Sequence, residues 1–296
     1  MTAPSRRLAR ALCAFALTVT TAVAGALAAA AAPATTGEPL LCTGLIQSQQ
    51  VYSDVRVPDG ATCSIYLVGI HGDLLVDRGG SVRVTRSSVV GDLISSETAS
   101  LTASTVHGRV WLDDAGYLAL TEATVVGSVM GRSNGIDFYQ ADVGQSLNVT
   151  VLGAAILREV SVGGWLNLPS KPGTRIDLSE ITAHRGLTVK DAGTLSLCSV
   201  DVAEHLIIRD VRRAAAGYPN SDGGSCQGRQ PSWGPDSYVV DVGGSALLEG
   251  NGTFQLRRLD VAEYLACVDN GEIVLDAGSG PDEPLVTAGL GRRGQC

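Results

Sequence analysis

Two adjacent carboxylates, Asp113 and Asp114, come nearest to a catalytic pair in this sequence. Paired carboxylates perform general acid–base chemistry in enzymes that cleave glycosidic bonds. The pair precedes Ala115-Gly116, however, and Asp followed by Gly is typical of a tight turn, so a conformational role is the alternative. No G-x-S-x-G elbow and no C-x-x-C metal motif occurs in the sequence. We therefore predict no catalytic residue, no metal and no cofactor, and we keep Asp113 and Asp114 as the best candidates for an enzyme.

The histidines are the next residues with ligand chemistry. His71 and His107 occupy the same place in a repeated pattern, two repeats apart. Stacked strands would separate them by roughly 9–10 Å, whereas zinc ligands lie about 2 Å from their ion. We expect both side chains, together with His184 and His205, to be solvated at the surface.

Large apolar residues recur at one outward position of the same pattern. Leu75, Ile94, Trp111 and Met130 follow one another there, and Trp165 and Tyr264 belong to the same predicted sheet. Exposed apolar and aromatic surfaces bind sugars and proteins. We predict a binding face that consists of Trp111, Met130, Trp165 and Tyr264. The alternative is that the N-terminal segment or an inserted loop covers these side chains.

The elements that position these residues follow from a repeat of the form V-x-G-x-L-x-V. Copies start 17 to 21 residues apart, from Ile70 to Val261, with one double gap between Val202 and Val242. The period of two predicts strands, and Asp, Asn and Gly between copies predict turns. We expect an all-β, single-stranded right-handed parallel β-helix (a β-solenoid) of about ten rungs of roughly 19 residues. Parallel crossovers favour the right hand.

The N-terminus has the order of an export signal. Arginines at the start precede an apolar run, and small residues follow near Ala31 and Ala34. We predict a signal peptide over residues 1–34 and a secreted or extracellular protein, free of the membrane after cleavage, with association with the cell surface as one possible location. An uncleaved anchor is the alternative, since the run is long enough to span a bilayer.

Six cysteines follow the predicted signal peptide, and an even number outside the cytoplasm indicates disulfides. Pairing of sequence neighbours predicts Cys42–Cys63, Cys198–Cys226 and Cys267–Cys296. Six cysteines allow 15 pairings, so other connectivities remain open. We expect the first and last pairs to seal the ends of the solenoid.

The repeat also divides the chain. Residues 35–69 are expected to form an N-terminal cap and first rung, and residues 70–211 the β-helix rungs. Residues 212–238 are rich in Gly, Pro and Ser and predict an inserted loop. Residues 239–296 would form the final rungs and a C-terminal cap.

Charge narrows the set of partners. The formal charge is −8, and loss of the three arginines of the signal leaves the mature part at −11, with two lysines. Binding of nucleic acid or anionic membranes needs clustered cations, so we expect neither. A polysaccharide or another cell-surface component remains as the expected partner.

The ends of the sequence resemble a family. Val57-Pro58-Asp59-Gly60-Ala61-Thr62-Cys63 and the closing Gly294-Gln295-Cys296 are similar to motifs of uncharacterised secreted bacterial right-handed parallel β-helix proteins, which open with V-P-x-G-A-x-C, continue through V-x-G-x-V rungs and close with G-Q-C. The resemblance implies a right-handed parallel β-helix with end disulfides, and it implies no activity. Arg185, Glu204 and Glu263 depart from the pattern, since they stand where Gly is expected.

Together these observations predict a secreted or cell-surface, non-catalytic β-helix protein that acts as a structural or binding module. A polysaccharide lyase or hydrolase of the β-helix type is the alternative. A self-assembling scaffold is a third hypothesis, because a stackable end could extend from molecule to molecule. The cysteine-sealed ends argue against it.

Overall fold

A computed structural model describes residues 37–217, 239–275 and 286–296. Within these ranges every regular element is a β-strand, the strands form one continuous sheet, and their pairings are parallel. They coil into a β-solenoid of about 11 turns, which confirms the predicted fold. The predicted signal peptide, residues 1–34, lies outside the described residues. The described residues contain no helix that could cross a bilayer.

The strands follow the chain in short pieces. The first half contains β1 (Leu40–Leu41), β2 (Leu45–Gln47), β3 (Gln50–Val51), β4 (Val55–Val57), β5 (Thr62–Tyr66), β6 (Gly69–Ile70), β7 (Leu74–Val76), β8 (Ser81–Thr85), β9 (Ser88–Val89), β10 (Leu93–Ser95), β11 (Thr98–Thr102), β12 (Thr105–Val106), β13 (Val110–Thr121), β14 (Thr124–Val125), β15 (Val129–Val143) and β16 (Leu147–Val162). The second half contains β17 (Leu166–Pro169), β18 (Arg175–Ala183), β19 (Leu187–Lys190), β20 (Thr194–Val202), β21 (Leu206–Arg209), β22 (Arg213–Ala216), β23 (Val240–Val242), β24 (Ala246–Glu249), β25 (Thr253–Leu256), β26 (Leu259–Val261), β27 (Tyr264–Val268), β28 (Glu272–Leu275), β29 (Val286–Ala288) and β30 (Gly291–Gly294).

Each rung contributes to three faces of the solenoid. Face A is the stack that contains β4, β7, β10, β17, β19, β21, β24, β27 and β30. Face B contains β5, β8, β11, β22, β25 and β28, and face C contains β6, β9, β12, β14, β23, β26 and β29. The long strands β13, β15, β16, β18 and β20 bend through a corner and belong to two or three faces. The chain runs from face A to B to C in every rung.

The core consists of columns of side chains that occupy equivalent inward positions on successive rungs. Leu74, Leu93, Val110, Val129 and Leu147 are successive register partners on face A, and each is fully buried. Alternate residues of a strand point to opposite sides, so the period of two in the sequence fills this column while its neighbours face solvent. Each such Val or Leu contributes about 1.5–3 kcal/mol by burial. Stacking of rungs therefore provides the free energy that a single rung lacks.

The repeat V-x-G-x-L-x-V covers the corner between faces C and A rather than one strand. Its Gly lies at this corner, where a Cβ on Gly108 or Gly127 would sit 2.5 Å from the carbonyl oxygen of the glycine one rung earlier. A side chain at either of these two positions would require the backbone to shift, which explains Gly in the early rungs. In the later rungs Arg185 and Glu204 keep the same backbone bond to the preceding rung, at 3.2 and 2.7 Å, so the register continues through them.

Aspartates next to these glycines tie the early rungs together. The Asp54 carboxylate accepts the backbone N–H of Asp73 at 2.8 Å, and the Asp73 carboxylate accepts that of Asp92 at 2.8 Å. The Asp92 carboxylate in turn accepts the N–H of Arg109 at 2.7 Å. Gly-Asp in the repeat thus satisfies corner amides that the strand ladders leave unpaired.

Buried amides perform the same task at the corner between faces A and B near the C-terminal end. Asn251 and Asn270 are 1% and 5% exposed. The Asn251 side chain accepts from the Val211 N–H at 3.0 Å and donates to the Ile208 carbonyl at 3.1 Å. Asn270 accepts from the Asn251 N–H at 3.0 Å, and Gln295 continues the column by accepting from the Asn270 N–H at 2.7 Å. The side chains of Asn251, Asn270 and Gln295 thus form a hydrogen-bonded column that extends to the last rung.

Disulfides close both ends of the described solenoid. Cys42–Cys63 joins the first two rungs and Cys267–Cys296 joins the last two, with Cα–Cα distances of 5.6 and 5.4 Å. Both predicted pairings are confirmed. Cys198 is disulfide-bonded as well, and its predicted partner, Cys226, lies outside the described residues.

The break in the repeat lies within one rung. Arg213–Ala216, part of the predicted inserted loop, forms β22 and pairs with β20 and β25. Leu206 of β21 is the direct register partner of Ala246 of β24, although 40 residues separate them. The remaining residues of the predicted loop, 218–238, lie outside the described residues. The double gap between Val202 and Val242 therefore reflects additional residues between faces B and C of a single rung. No rung is missing from the stack at this point.

Candidate binding groove on face A

The outward side of face A changes character along the solenoid. Leu75, Ile94, Trp111 and Met130 are direct register partners, as the repeat predicts. The same column continues with Asn148, Asn167, Thr188 and Ile207. The face is thus apolar in the early rungs and amide- and hydroxyl-bearing in the middle ones.

A groove of about 610 Å³ lies over these middle rungs. It spans four rungs, so its residues come from positions roughly 19 to 21 apart in the sequence. Its lining combines one aromatic residue, polar uncharged side chains and two cations: Ser146, Asn148, Trp165, Asn167, Pro169, Thr188, Lys190, Ile207 and Arg209.

Trp165 forms one wall of the groove. Its ring lies over Gly186 of the next rung, where a Cβ would collide with the ring. Gly186 is buried although it belongs to the outward side of the face. The Trp165 backbone N–H donates to the Ser146 hydroxyl at 3.2 Å, which fixes the start of its strand. The missing side chain at Gly186 is what lets an indole ring lie across two rungs.

The floor of the groove carries a row of amides. Asn167 Nδ2 donates to Asn148 Oδ1 at 3.0 Å, and both side chains are accessible to solvent. Since one amide bonds to the next, each keeps donors or acceptors that point away from the sheet. Thr188 adds a hydroxyl on the following rung. Such a row can hydrogen-bond to a ligand that is rich in hydroxyl groups.

The opposite wall carries the cations. Pro169, Lys190 and Arg209 are register partners on successive rungs. Arg209 Nε lies 2.6 Å from Glu249 Oε2 on the next rung. The groove therefore combines an aromatic surface, neutral hydrogen-bonding groups and positive charge, a combination that binds sugar rings and their substituents.

Only one of the four residues of the predicted binding face lines this groove. Trp165 does so, whereas Trp111 and Met130 lie in the apolar column of earlier rungs, with Trp111 47% exposed. Tyr264 lies near the C-terminal end, where the Arg293 guanidinium stacks 4.1 Å from the centre of its ring. The structure thus places the four residues on one face, where Trp111 and Met130 are neighbours and Trp165 and Tyr264 lie apart from them.

Asp113 and Asp114 lie at an exposed corner between faces A and B. Asp114 occupies a corner with a φ of 52°, and its carboxylate pairs with Arg132 at 3.0 Å. Both aspartates are exposed, and neither lines the described depressions on faces A, B and C. The geometry is that of a turn, the conformational alternative for this pair.

His71 and His107 lie in one column at the corner between faces C and A, with Val90 between them. The His71 ring stacks on Tyr52, with ring centres 4.5 Å apart, and lies 3.1 Å from the Gln50 side-chain oxygen. Among the described residues no group of three or more His, Cys, Asp or Glu side chains could hold a metal ion.

Two further depressions contain residues that the sequence did not indicate. On face B, a space of about 570 Å³ includes Arg175, Asp177 and Arg213. Arg175 Nε lies 2.6 Å from the buried Asp177 carboxylate, so these two charges satisfy each other. On face C, a shallower one of about 390 Å³ includes Glu180 and Asp241.

The carboxyl groups of the face C depression are perturbed. Burial, then the charge of Glu159, raises the pKa of Glu180. Burial raises the pKa of Asp241, and the charges of Asp260 and Asp201 raise it further. No aromatic residue or cation lines this depression in the described part of the chain. Of these three depressions, the groove on face A is the one lined by both an aromatic ring and varied hydrogen-bonding groups.

Comparison with known proteins yields no match. No protein-family model, no curated protein and no solved structure matches this chain. The chain's own residues, above all those of the face A groove, are therefore what indicates its function.

Proposed function

We propose that this protein is a secreted or cell-surface, non-catalytic binding module that holds a polysaccharide in the face A groove. The observation that carries the proposal is Trp165, whose ring lies across two rungs beside the Asn148–Asn167 amide row. An indole face provides apolar contact for a sugar ring, and side-chain amides hydrogen-bond to its hydroxyls.

Export to an oxidising compartment is supported by two kinds of feature. The leader has the charge and hydropathy order of an export signal. Both end disulfides join neighbouring rungs, and disulfides persist mainly outside the cytoplasm. A polysaccharide of a cell wall or matrix is accessible to a protein in that location.

The test incubates the oxidised mature protein with a panel of insoluble polysaccharides and cell walls. Depletion of protein from the supernatant measures binding, and release of soluble sugar measures cleavage. We expect depletion without sugar release. Sugar release would instead support the alternative, a polysaccharide lyase or hydrolase.

Two tryptophan variants locate the site. Trp165→Ala should abolish depletion, because it removes the groove wall, while the circular dichroism spectrum and the melting temperature stay close to those of wild type. Trp111→Ala is the matched control, since it removes an exposed indole from the same face outside the groove. Loss of binding in the Trp111 variant alone would contradict the groove and assign binding to the apolar column.

A further inference from the structure

The groove contains a cation that forms no ion pair with any described residue. Of the two charged residues in its lining, Arg209 pairs with Glu249 at 2.6 Å. Lys190 forms no ion pair with any residue in the parts of the chain that the structure describes. Asp191 follows Lys190 at the corner with a φ of 60° and is not part of the lining. A ligand with an anionic group would therefore meet one ammonium group that has no carboxylate partner within residues 37–217, 239–275 and 286–296.

The position of Lys190 fits a ligand that extends along the solenoid. It lies on the outward column between Pro169 and Arg209, beside Thr188 of the same strand. Rungs are about 4.8 Å apart, and an extended chain of pyranose rings advances by a similar distance per sugar. A chain along the axis would place a ring on Trp165, hydroxyls on the amide row and a ring substituent beside Lys190.

We propose that the groove selects an acidic polysaccharide, in which a sugar carboxylate accepts a charge-assisted hydrogen bond from the Lys190 ammonium group. The inference rests on the proposed polysaccharide-binding function and adds the ligand class to it. A bond between an ammonium and a carboxylate is stronger than one between neutral groups. The chain as a whole has a charge of −8, so the attraction must act within about one Debye length, 8–10 Å.

The experiment uses pairs of polymers that differ in the carboxylate alone. Polygalacturonate, alginate and hyaluronan are each compared with their carboxyl-reduced forms by affinity electrophoresis of the mature protein. We expect at least one carboxylated polymer to bind more tightly than its reduced form, with an advantage that higher ionic strength removes.

Variants assign this preference to Lys190. Lys190→Gln should weaken binding of the carboxylated polymer about fivefold, the scale of one exposed ion pair, and remove the difference in affinity between the carboxylated polymer and its reduced form. Lys171→Gln is the matched control, because it removes the other lysine, which is exposed and outside the lining. Trp165→Ala should weaken both forms.

The possible outcomes distinguish a failure of the proposed acidic preference from a failure of the proposed polysaccharide-binding function. Equal binding of carboxylated and reduced polymers, lost in Trp165→Ala, would overturn the acidic preference and retain the binding module. A preference for carboxylate that Lys190→Gln leaves intact would overturn the role of Lys190. Absence of binding to every polymer and to the insoluble panel would overturn both proposals.

Discussion

At the scale of single residues, charge is distributed unevenly over the outward columns. Asp201, Asp241 and Asp260 are register partners on three successive rungs of face C. Stacked strands bring such positions within about 4.8 Å. Earlier in the same column, Asp142 is flanked instead by Thr124 and Ser161. One column therefore contains both Asp241, which has a carboxylate on each neighbouring rung, and Asp142, which has a hydroxyl on each.

Asp241→Asn should stabilise the protein at neutral pH. Burial, with Asp260 and Asp201, raises the pKa of Asp241 in the folded state, so the ionised form destabilises the fold. That penalty is present above the folded-state pKa, diminishes as pH falls through it, and vanishes below the unfolded value of about 3.9. The melting temperature of the variant should exceed that of wild type at pH 7 and equal it at low pH.

Asp142→Asn provides the comparison for this substitution, since it removes a carboxylate from the same column without charged neighbours there. Its melting temperature should follow wild type across the pH range. A gain equal to that of Asp241→Asn would attribute the effect to net charge and not to the ladder of aspartates.

At the scale of elements, the turn between faces B and C places one residue of each of the first nine rungs in the left-handed conformation. Their φ values lie between 48° and 55° in Ser48, Leu67, Arg86, Ala103, Glu122, Gln140, Glu159, Glu180 and Ser199. None of these residues is Gly or Asn, the types that adopt this conformation most readily. The conformation costs other residues roughly 1–2 kcal/mol each, which the stacked strands on either side must offset.

Leu67→Asn should therefore stabilise the protein by about 1 kcal/mol. Leu67 has a φ of 54° and is 47% exposed, so the substitution relieves backbone strain and removes little packing. The denaturant midpoint should rise while the slope of the transition stays constant. Leu67→Ala removes the same side chain and keeps the strain, so an equal gain in that variant would show that exposure of Leu67 is the cause.

These corners also mark what the sequence could and could not predict. The inward Val and Leu columns repeat with period two, and Gly-Asp marks the corner between faces C and A, so fold and rung length were predictable. The sequence did not reveal face C as a separate face, because its two- and three-residue strands form the first part of the repeat. The corner between faces B and C had no signal, since its left-handed residues are of ordinary types.

The groove was predictable only in part, for a related reason. Trp165 is a rare residue type at an outward position, which was enough to select it. Asn148, Asn167 and Thr188 are common surface residues, 19 and 21 positions apart, and only exact register makes them neighbours. Because the rungs differ in length, the sequence alone could not show which residues are register partners. The amide row was therefore recognised only in the structure.

At the scale of the whole molecule, stability is nearly one-dimensional, because each rung contacts only its neighbours. Among the described residues, the first and last rungs pair on one side only, and a disulfide ties each of them to the next rung. Closure of loops with sequence separations of 21 and 29 stabilises by about 3 kcal/mol each in the chain-entropy model. Each disulfide thus provides an end rung with stabilisation that an inner rung obtains from its second neighbour.

Removal of Cys267–Cys296 by alanine substitution at both positions should loosen the C-terminal rungs and spare the groove. Backbone amides of β27 to β30 should exchange hydrogen faster, while those of β17 and β19 keep their protection, because the rungs of β21 and β24 lie between β19 and β27. Hydrogen exchange followed by mass spectrometry measures both regions at once, and binding to the polysaccharide panel should persist.

Removal of Cys42–Cys63 is the mirror experiment at the other end. It should accelerate exchange in β1 to β5 and leave β27 to β30 unchanged, since the two ends communicate only through the intervening rungs. Accelerated exchange throughout the solenoid in either variant would contradict nearest-neighbour stability and indicate one cooperative unit. In that event the groove would depend on the end disulfides, and reduction of the protein would abolish binding together with the fold.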